Sequence, residues 1–480
     1  MKNLEPKLLW KYFYDITQTP RPSKKEEKIM LLIKNFASEH GLDLKQDTAG
    51  NILIMKNGTP GYEDKPALIL QAHMDMVCEK NQDVVINFET DPIQTKIEGD
   101  WLKAEGTTLG ADNGIGMAMM MAVLASDDLA HPPLECLFTV DEETGLTGAM
   151  ALEQGFMSGK RLINLDSEDD GEVYIGCAGG KGTKAYLTLK REDMQEGNFA
   201  VKMGVKGLKG GHSGGDIHLG LGNSIQILTA CLKKFSQETE IRINRIEGGN
   251  LHNAIPRDAE ATIIVPARFK ERIRVIMNIH ISEIEEMLGD IEPGFGMYMD
   301  SCGIPADAFT PKDSLLLIRT LNACPHGVIA MSRDIPGLVE TSTNLASVKM
   351  PDENTVLITT SQRSSSEPAR HELSARMESL FSLAGARVEQ NGGYPGWKPN
   401  LQSALLEQAR LSYQALFDAE PAVKAIHAGL ECGLFLEKYP GLDMISVGPQ
   451  MHGVHSPDER LSISSTQKTW LWFTALLARL

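Results

Sequence analysis

Several short apolar runs along the chain end abruptly on His, Asp or Glu, and this pattern predicts the architecture. Residues 66–70 (Pro-Ala-Leu-Ile-Leu) run into His73 and Asp75, and residues 134–140 into Glu142 and Glu143. Residues 161–165 run into Asp166, and residues 443–447 into the segment that holds His455. Runs that are apolar throughout predict strands covered on both faces. Residues 50–55 predict one more strand. Residues 4–17 predict an amphipathic helix. Ser23, with Glu26 three residues later, predicts a capping box on a second helix whose apolar stripe is Ile29, Met30, Ile33 and Phe36. Residues 117–124, apolar on every side, predict a buried helix. Strands alternating with helices give an α/β domain, with its polar residues gathered at the carboxyl ends of strands, where open sheets place ligands.

The pattern changes in the middle of the chain. From about residue 184 it predicts a strand (199–203), a helix (223–235), a hairpin (241–246 and 259–266), a helix (269–288) and a strand (296–300). A second round follows: a helix (313–324), a strand (327–332), a hairpin (338–349 and 355–362), a helix (367–384) and a strand (387–390). The hairpins echo each other, which predicts a duplicated α+β unit. The expected organisation is a first α/β segment over 1–185, an inserted α+β domain over 186–392, and a second α/β segment over 393–480.

At 480 residues the chain is too long for one ordinary core, in keeping with that division. A net charge of −17 argues against nucleic acid or an anionic membrane as the main partner, since both need a basic face. The first residues carry no apolar signal core, and the longest apolar run is about half a membrane span. The seven cysteines include no closely spaced pair, which predicts reduced thiols in a cytoplasmic protein and no thiolate metal knuckle.

The remaining question is what the strand-end residues do. Asp112, in Leu109-Gly110-Ala111-Asp112-Asn113-Gly114, taken alone reads as a turn former or helix cap. His73 and Asp75 share a face of a strand end, so the carboxylate can hold the imidazole's second nitrogen. Glu142 and Glu143 are adjacent carboxylates after a buried strand, costly unless a cation neutralises them; either they form a solvated acidic loop, or one binds metal while its neighbour holds a water. Asp166 opens an acidic run that is otherwise an ordinary surface loop. His455 competes with His452 and is favoured because Ser456-Pro457 fixes its direction. Together these residues suggest a two-metal hydrolase centre around Asp112. Imidazoles and carboxylates without thiolate suit zinc, and also manganese or cobalt.

Five motifs carry a family resemblance across the whole chain: Gln-Ala-His73-Met-Asp75, Leu-Gly-Ala-Asp112-Asn113-Gly, Asp-Glu142-Glu143-Thr-Gly, Asn-Leu-Asp166 and His455-Ser-Pro-Asp-Glu. The sequence resembles the M20 co-catalytic zinc peptidases, and within them the aminoacyl-histidine dipeptidase branch. The resemblance implies an α/β catalytic domain with a central mixed sheet and a dinuclear metal site, interrupted by a lid. It implies Asp112 bridging two divalent ions, His73 and Asp166 on one, Glu143 and His455 on the other, Glu142 as general base and Asp75 orienting His73. It also implies a cis Asp112–Asn113 peptide, His212 as oxyanion donor, and Asn253 and Arg363 as substrate contacts. The substrates would be small unblocked dipeptides, X-His types such as β-alanyl-histidine among them. A homodimer is left open. The alternatives are N-acyl amino acid deacylation, a broader aminopeptidase, or a non-catalytic binding protein on the same fold.

Overall fold

The all-apolar runs become the strands of one sheet. In the computed structural model, which describes residues 1, 3–390 and 392–480, the chain forms two compact units. The first comprises residues 1–177, 397–425 and 430–480, the second 178–396 and 426–429.

The first unit is built on an eight-stranded sheet. Its order is Asp43–Gln46, Ile52–Lys56, Leu134–Thr139, Leu68–His73, Arg161–Asn164, Asp443–Ser446, Glu172–Cys177 and Ala422–Ile426. The four central strands, from Leu134–Thr139 to Asp443–Ser446, run parallel, and their outer neighbours Ile52–Lys56 and Glu172–Cys177 run antiparallel to them. Every residue of Leu68–His73 and Leu134–Thr139 is buried, as strands covered on both faces require. The helix Ala111–Ala125 packs on Leu68–His73 and on the helix Lys7–Thr17. Residues 113–124 of that helix are all buried, so it presents no polar face.

The second helix is Glu27–Glu39, and Ser23 does not cap it. The Ser23 hydroxyl donates instead to Asp75 Oδ2 at 2.7 Å. Glu26, 5% exposed, accepts from the amides of Lys24 and Asp141. The residues that looked like a capping box therefore support the strand ends.

The second unit has antiparallel strands; several bury one face, whereas Val339–Lys349 is buried along almost its whole length. Arg242–Gly248 alternates between buried and more exposed positions along much of its length, the period of a half-covered sheet. Its main sheet runs Gly296–Cys302, Asn198–Lys206, Ala259–Pro266, Arg242–Gly248, Val339–Lys349, Thr355–Ser364, Gly179–Thr188 and Arg387–Glu389. Outward from the middle the two halves have the same order. Each contains two helices, Ser224–Glu238 and Lys270–Leu288 in one, Pro311–Ala323 and Glu367–Leu383 in the other. The halves are nested, not consecutive. Gly179–Thr188, the counterpart of Asn198–Lys206, comes before the first half and was not foreseen from the sequence. Gly327–Met331 pairs instead with the start of Val339–Lys349, off the main order. The fully buried Phe235, Phe309 and Phe381 anchor the core of this unit.

One buried imidazole of the second unit gives a pH test of its packing. His427, 6% exposed, shares a 2.7 Å hydrogen bond with the Ser342 hydroxyl. Burial first, and the Arg363 charge second, push its pKa down to about 3. Its neutral form belongs to the fold, so the stability it contributes is complete above the unfolded value of about 6.5 and is lost as pH falls toward the folded value. Melting temperature measured from pH 7 to pH 4 should fall more steeply for the native chain than for His427→Asn. Parallel curves would show that folding leaves the proton affinity of His427 unchanged.

Candidate metal centre

The central parallel strands deliver their polar residues to one edge of the sheet. His73 closes Leu68–His73 and Asp75 follows it; Glu142 and Glu143 lie just beyond Leu134–Thr139; Asp166 lies just beyond Arg161–Asn164. Asp112 stands at the head of the buried helix, behind Gly110 at φ +69°. The Asp112–Asn113 peptide is cis. His455 takes a φ of +62°, rare for a residue with a side chain, in the turn after Gly453.

The two oxygens of Asp112 face two different imidazoles. Oδ1 lies 2.9 Å from His73 Nε2, and Oδ2 lies 3.1 Å from His455 Nε2. His73 Nε2 is also 3.4 Å from Asp166 Oδ1, and His455 Nε2 is 3.0 Å from Glu143 Oε2. Two sets of potential ligand atoms result, His73–Asp112–Asp166 and Asp112–Glu143–His455, each within 4.8 Å and sharing Asp112. Asp75 stands behind His73. Its Oδ1 is 3.3 Å from His73 Nδ1 and accepts the Glu142 amide at 3.0 Å, while Oδ2 accepts the Glu143 amide at 3.2 Å. The side-chain Nδ2 of Asn113 donates to Asp166 Oδ1.

The electrostatics follow from crowding carboxylates away from water. Burial disfavours the imidazolium of His73, but Asp166, Asp112 and Asp75 outweigh it and raise its pKa well above the ordinary value. His455 is likewise raised, against burial, to about 11 by Asp112 and Glu143. Asp75, despite burial, is held at about 2 by His73, the Glu142 amide and Ser23. Glu142 moves the other way: burial raises its pKa well above normal, and Asp166 and Glu143 add to the shift.

This donor set fits divalent cations. Glu143 Oε1 is buried without a hydrogen-bond partner among the described residues, an orphan that a ligated ion would satisfy. All donors are carboxylate oxygens or imidazole nitrogens. The nearby Cys78 thiol is pushed up to about 11, chiefly by burial, so it stays protonated. Imidazole binds metal only when neutral, so cations here would replace the protons those carboxylates attract.

The other foreseen residues lie in the second unit. His212 ends the two-residue strand Gly211–His212, which pairs with Ala254–Ile255, and its Nδ1 accepts the amides of Gly214 and Gly215 at 3.2 and 3.0 Å. Asn253 accepts the Ser213 amide through its carbonyl at 2.8 Å, which sets it beside the His212 loop. Arg363 is buried, with Nη1 donating to the Tyr394 hydroxyl at 2.9 Å. It lines a cavity of about 330 Å³ together with Lys181, Lys184, His252, Ser361 and Tyr394.

Three residues of the first centre were not foreseen. Arg21 and Glu459 hold the Asp112 loop through its backbone. Glu431, fully buried, accepts from Gln71 Nε2 at 2.6 Å and Thr139 Oγ1 at 2.9 Å beneath the strand ends. Pro20-Arg21-Pro22 reads as an exposed turn and gives no signal. Glu459 lies inside the His455 motif, and that adjacency was the available clue.

Among the described residues no helix is long and apolar enough to cross a membrane. The profile of peptidase family M20/M25/M40 matches residues 69–479. The cytosol non-specific dipeptidase of Escherichia coli (strain K12) is 44% identical over 477 residues, 99% of this chain and 98% of that protein. The crystal structure of an aminoacylhistidine dipeptidase from Vibrio alginolyticus superposes with a TM-score of 0.92 at 42% identity, covering 100% of this chain and 98% of that one. The aminopeptidase PepT of Bacillus cereus shares the fold, with a TM-score of 0.59 at 17% identity over 99% of this chain and 98% of that one.

Proposed function

The chain belongs to peptidase family M20/M25/M40, and from that premise we propose that it is a cytoplasmic dinuclear metallodipeptidase acting on unblocked dipeptides, X-His types such as β-alanyl-histidine among them. The observation that carries the reading is the Asp112 carboxylate: Oδ1 faces His73, Oδ2 faces His455, and the residue belongs to two groups of potential ligand atoms. His73 and Asp166 would hold one ion with it, Glu143 and His455 the other. Zinc suits this set best, and manganese or cobalt also fit it.

Two divalent ions would supply Lewis-acid polarisation of the scissile carbonyl and acidify a water. The residues do the rest. Glu142, whose burial makes it hold a proton strongly, takes the proton of the attacking water and passes it to the leaving amine. Asp75 fixes the orientation of His73. In the second unit, which we read as a lid built from a duplicated unit, His212 donates to the developing oxyanion. The cationic cavity with Arg363, and Asn253 beside the His212 loop, receive the substrate's polar groups.

Purified protein should carry two ions per chain, lose activity to a chelator and regain it with zinc, manganese or cobalt. An active protein without bound metal would end the reading. Activity on N-acyl amino acids in place of free dipeptides would move it to deacylation.

The adjacent glutamates should fail differently. Glu142→Gln should keep both ions and lose about 10²–10⁴-fold in kcat. Glu143→Gln should bind one ion weakly and recover partly in excess metal. The reverse pattern in metal analysis would exchange their roles.

His212→Ala should lower kcat by about 10²–10³-fold with a smaller change in KM. A kcat near that of the native chain would make His212 a loop residue only.

A further inference from the structure

We propose that Glu459 and Arg21 are positioning residues that grip the Asp112 loop from opposite sides and thereby set the affinity of the centre for metal; this rests on the metal reading above. Glu459 is 2% exposed and spends its carboxylate on four successive backbone amides. Oε2 accepts Leu109 N at 2.7 Å and Gly110 N at 3.0 Å; Oε1 accepts Ala111 N at 2.8 Å and Asp112 N at 3.4 Å. The last two, those of Ala111 and Asp112, are amides that a helix start leaves without intrahelical partners. They are satisfied here by a residue about 350 positions away. Glu459 also lies four residues after His455, so one carboxylate joins the His455 segment to the Asp112 loop.

Arg21, also 2% exposed, meets the same loop from its carbonyl side. Nη1 donates to Met74 O at 3.1 Å and Asp75 O at 2.6 Å, and Nη2 donates to Gly110 O. The peptide units of Gly110 are thus held through the amide by Glu459 and through the carbonyl by Arg21. The fit leaves no room for a side chain: a Cβ on Gly110 would lie 2.5 Å from Arg21 Nη2. The strand end with His73 and Asp75, the loop with Asp112 and the turn with His455 are therefore linked by two side chains that offer the metals nothing. The guanidinium has no lone pair to give, and both Glu459 oxygens are occupied.

Metal ligation tolerates errors of only about 0.2 Å in ligand position, so a loop that carries the shared carboxylate must be held closely. A purely structural role would lower stability without touching metal affinity. Glu135 provides the comparison. It is 7% exposed on the same sheet, and its carboxylate accepts the amides of Ser158 and Gly159 at 2.8 and 3.0 Å.

The experiment measures zinc affinity of the full-length protein by competition with a chromophoric chelator, alongside melting without metal and kinetics at saturating zinc. Glu459→Gln removes charge and one acceptor oxygen. It should lose about 10–100-fold in affinity for at least one ion, while KM stays unchanged and kcat returns as zinc saturates. Glu135→Gln should melt lower with native zinc affinity. If Glu459→Gln also binds zinc as the native chain does, the proposal is overturned. Should Glu459→Gln not yield folded protein, Arg21→Lys is measured by the same criterion, since an ammonium keeps the charge but cannot span three carbonyls; native affinity there overturns the proposal equally. A native chain that binds no zinc would instead strike the metal reading itself.

Discussion

The first unit is shaped by the cost of bringing Asp75, Asp112, Glu142, Glu143 and Asp166 together out of water. Two like charges about 4 Å apart repel by roughly 4 kcal/mol even at an effective dielectric of 20. The structure answers with backbone amides, imidazoles and neutralisation, each at a particular carboxylate. Asp75 takes the amides of Glu142 and Glu143 and keeps its charge. Asp112 takes two imidazoles. Glu142 is left without comparable support, so burial raises its pKa. Glu143, the next residue, is also raised by burial, but its Oε2 meets His455, which pulls the other way.

The second unit solves a different problem. Several of its antiparallel strands bury one face, and one of its cavities is lined by Lys181, Lys184 and Arg363 with no carboxylate among the described residues. The buried imidazole of His427 is kept neutral by burial first and by the Arg363 charge second. Burial lowers the pKa of both His73 and His427; at His73 three carboxylates outweigh it, whereas at His427 the Arg363 charge adds to it.

What the sequence reveals of this arrangement depends on who the partner is. Strands buried on both faces leave unbroken apolar runs, and the residues that end them are visible for that reason, so His73, Glu142, Glu143 and Asp166 could be singled out. Ser23 and Glu26 were misread because a capping box and a polar support for Asp75 use the same residue types. Arg21 and Glu459 bind backbone, and a long-range bond to backbone leaves no periodicity and no partner to recognise. Gly179–Thr188 was passed over because Gly179, Gly180 and Gly182 weaken the appearance of a strand. Missing it hid the nesting of the two halves, since the outer half then seemed to begin only at its helix.

The order of segments along the chain has a physical consequence for the centre. His73, Asp112, Glu143 and Asp166 all precede residue 177, whereas His455 and Glu459 follow residue 430, so the shared carboxylate is not fully held until the last segment returns to the sheet. More than two hundred residues intervene. The entropy of closing a loop grows only with the logarithm of its length, about 0.6 kcal/mol for each doubling, so the insertion adds little to the cost of that return. Its two ends are also fastened together. Cys177 N donates to Trp397 O and Trp397 N to Cys177 O, both at 2.9 Å. Within the first unit, residue 397 therefore continues directly from residue 177, and the sheet with its candidate ligands is closed as though the intervening chain were a short turn.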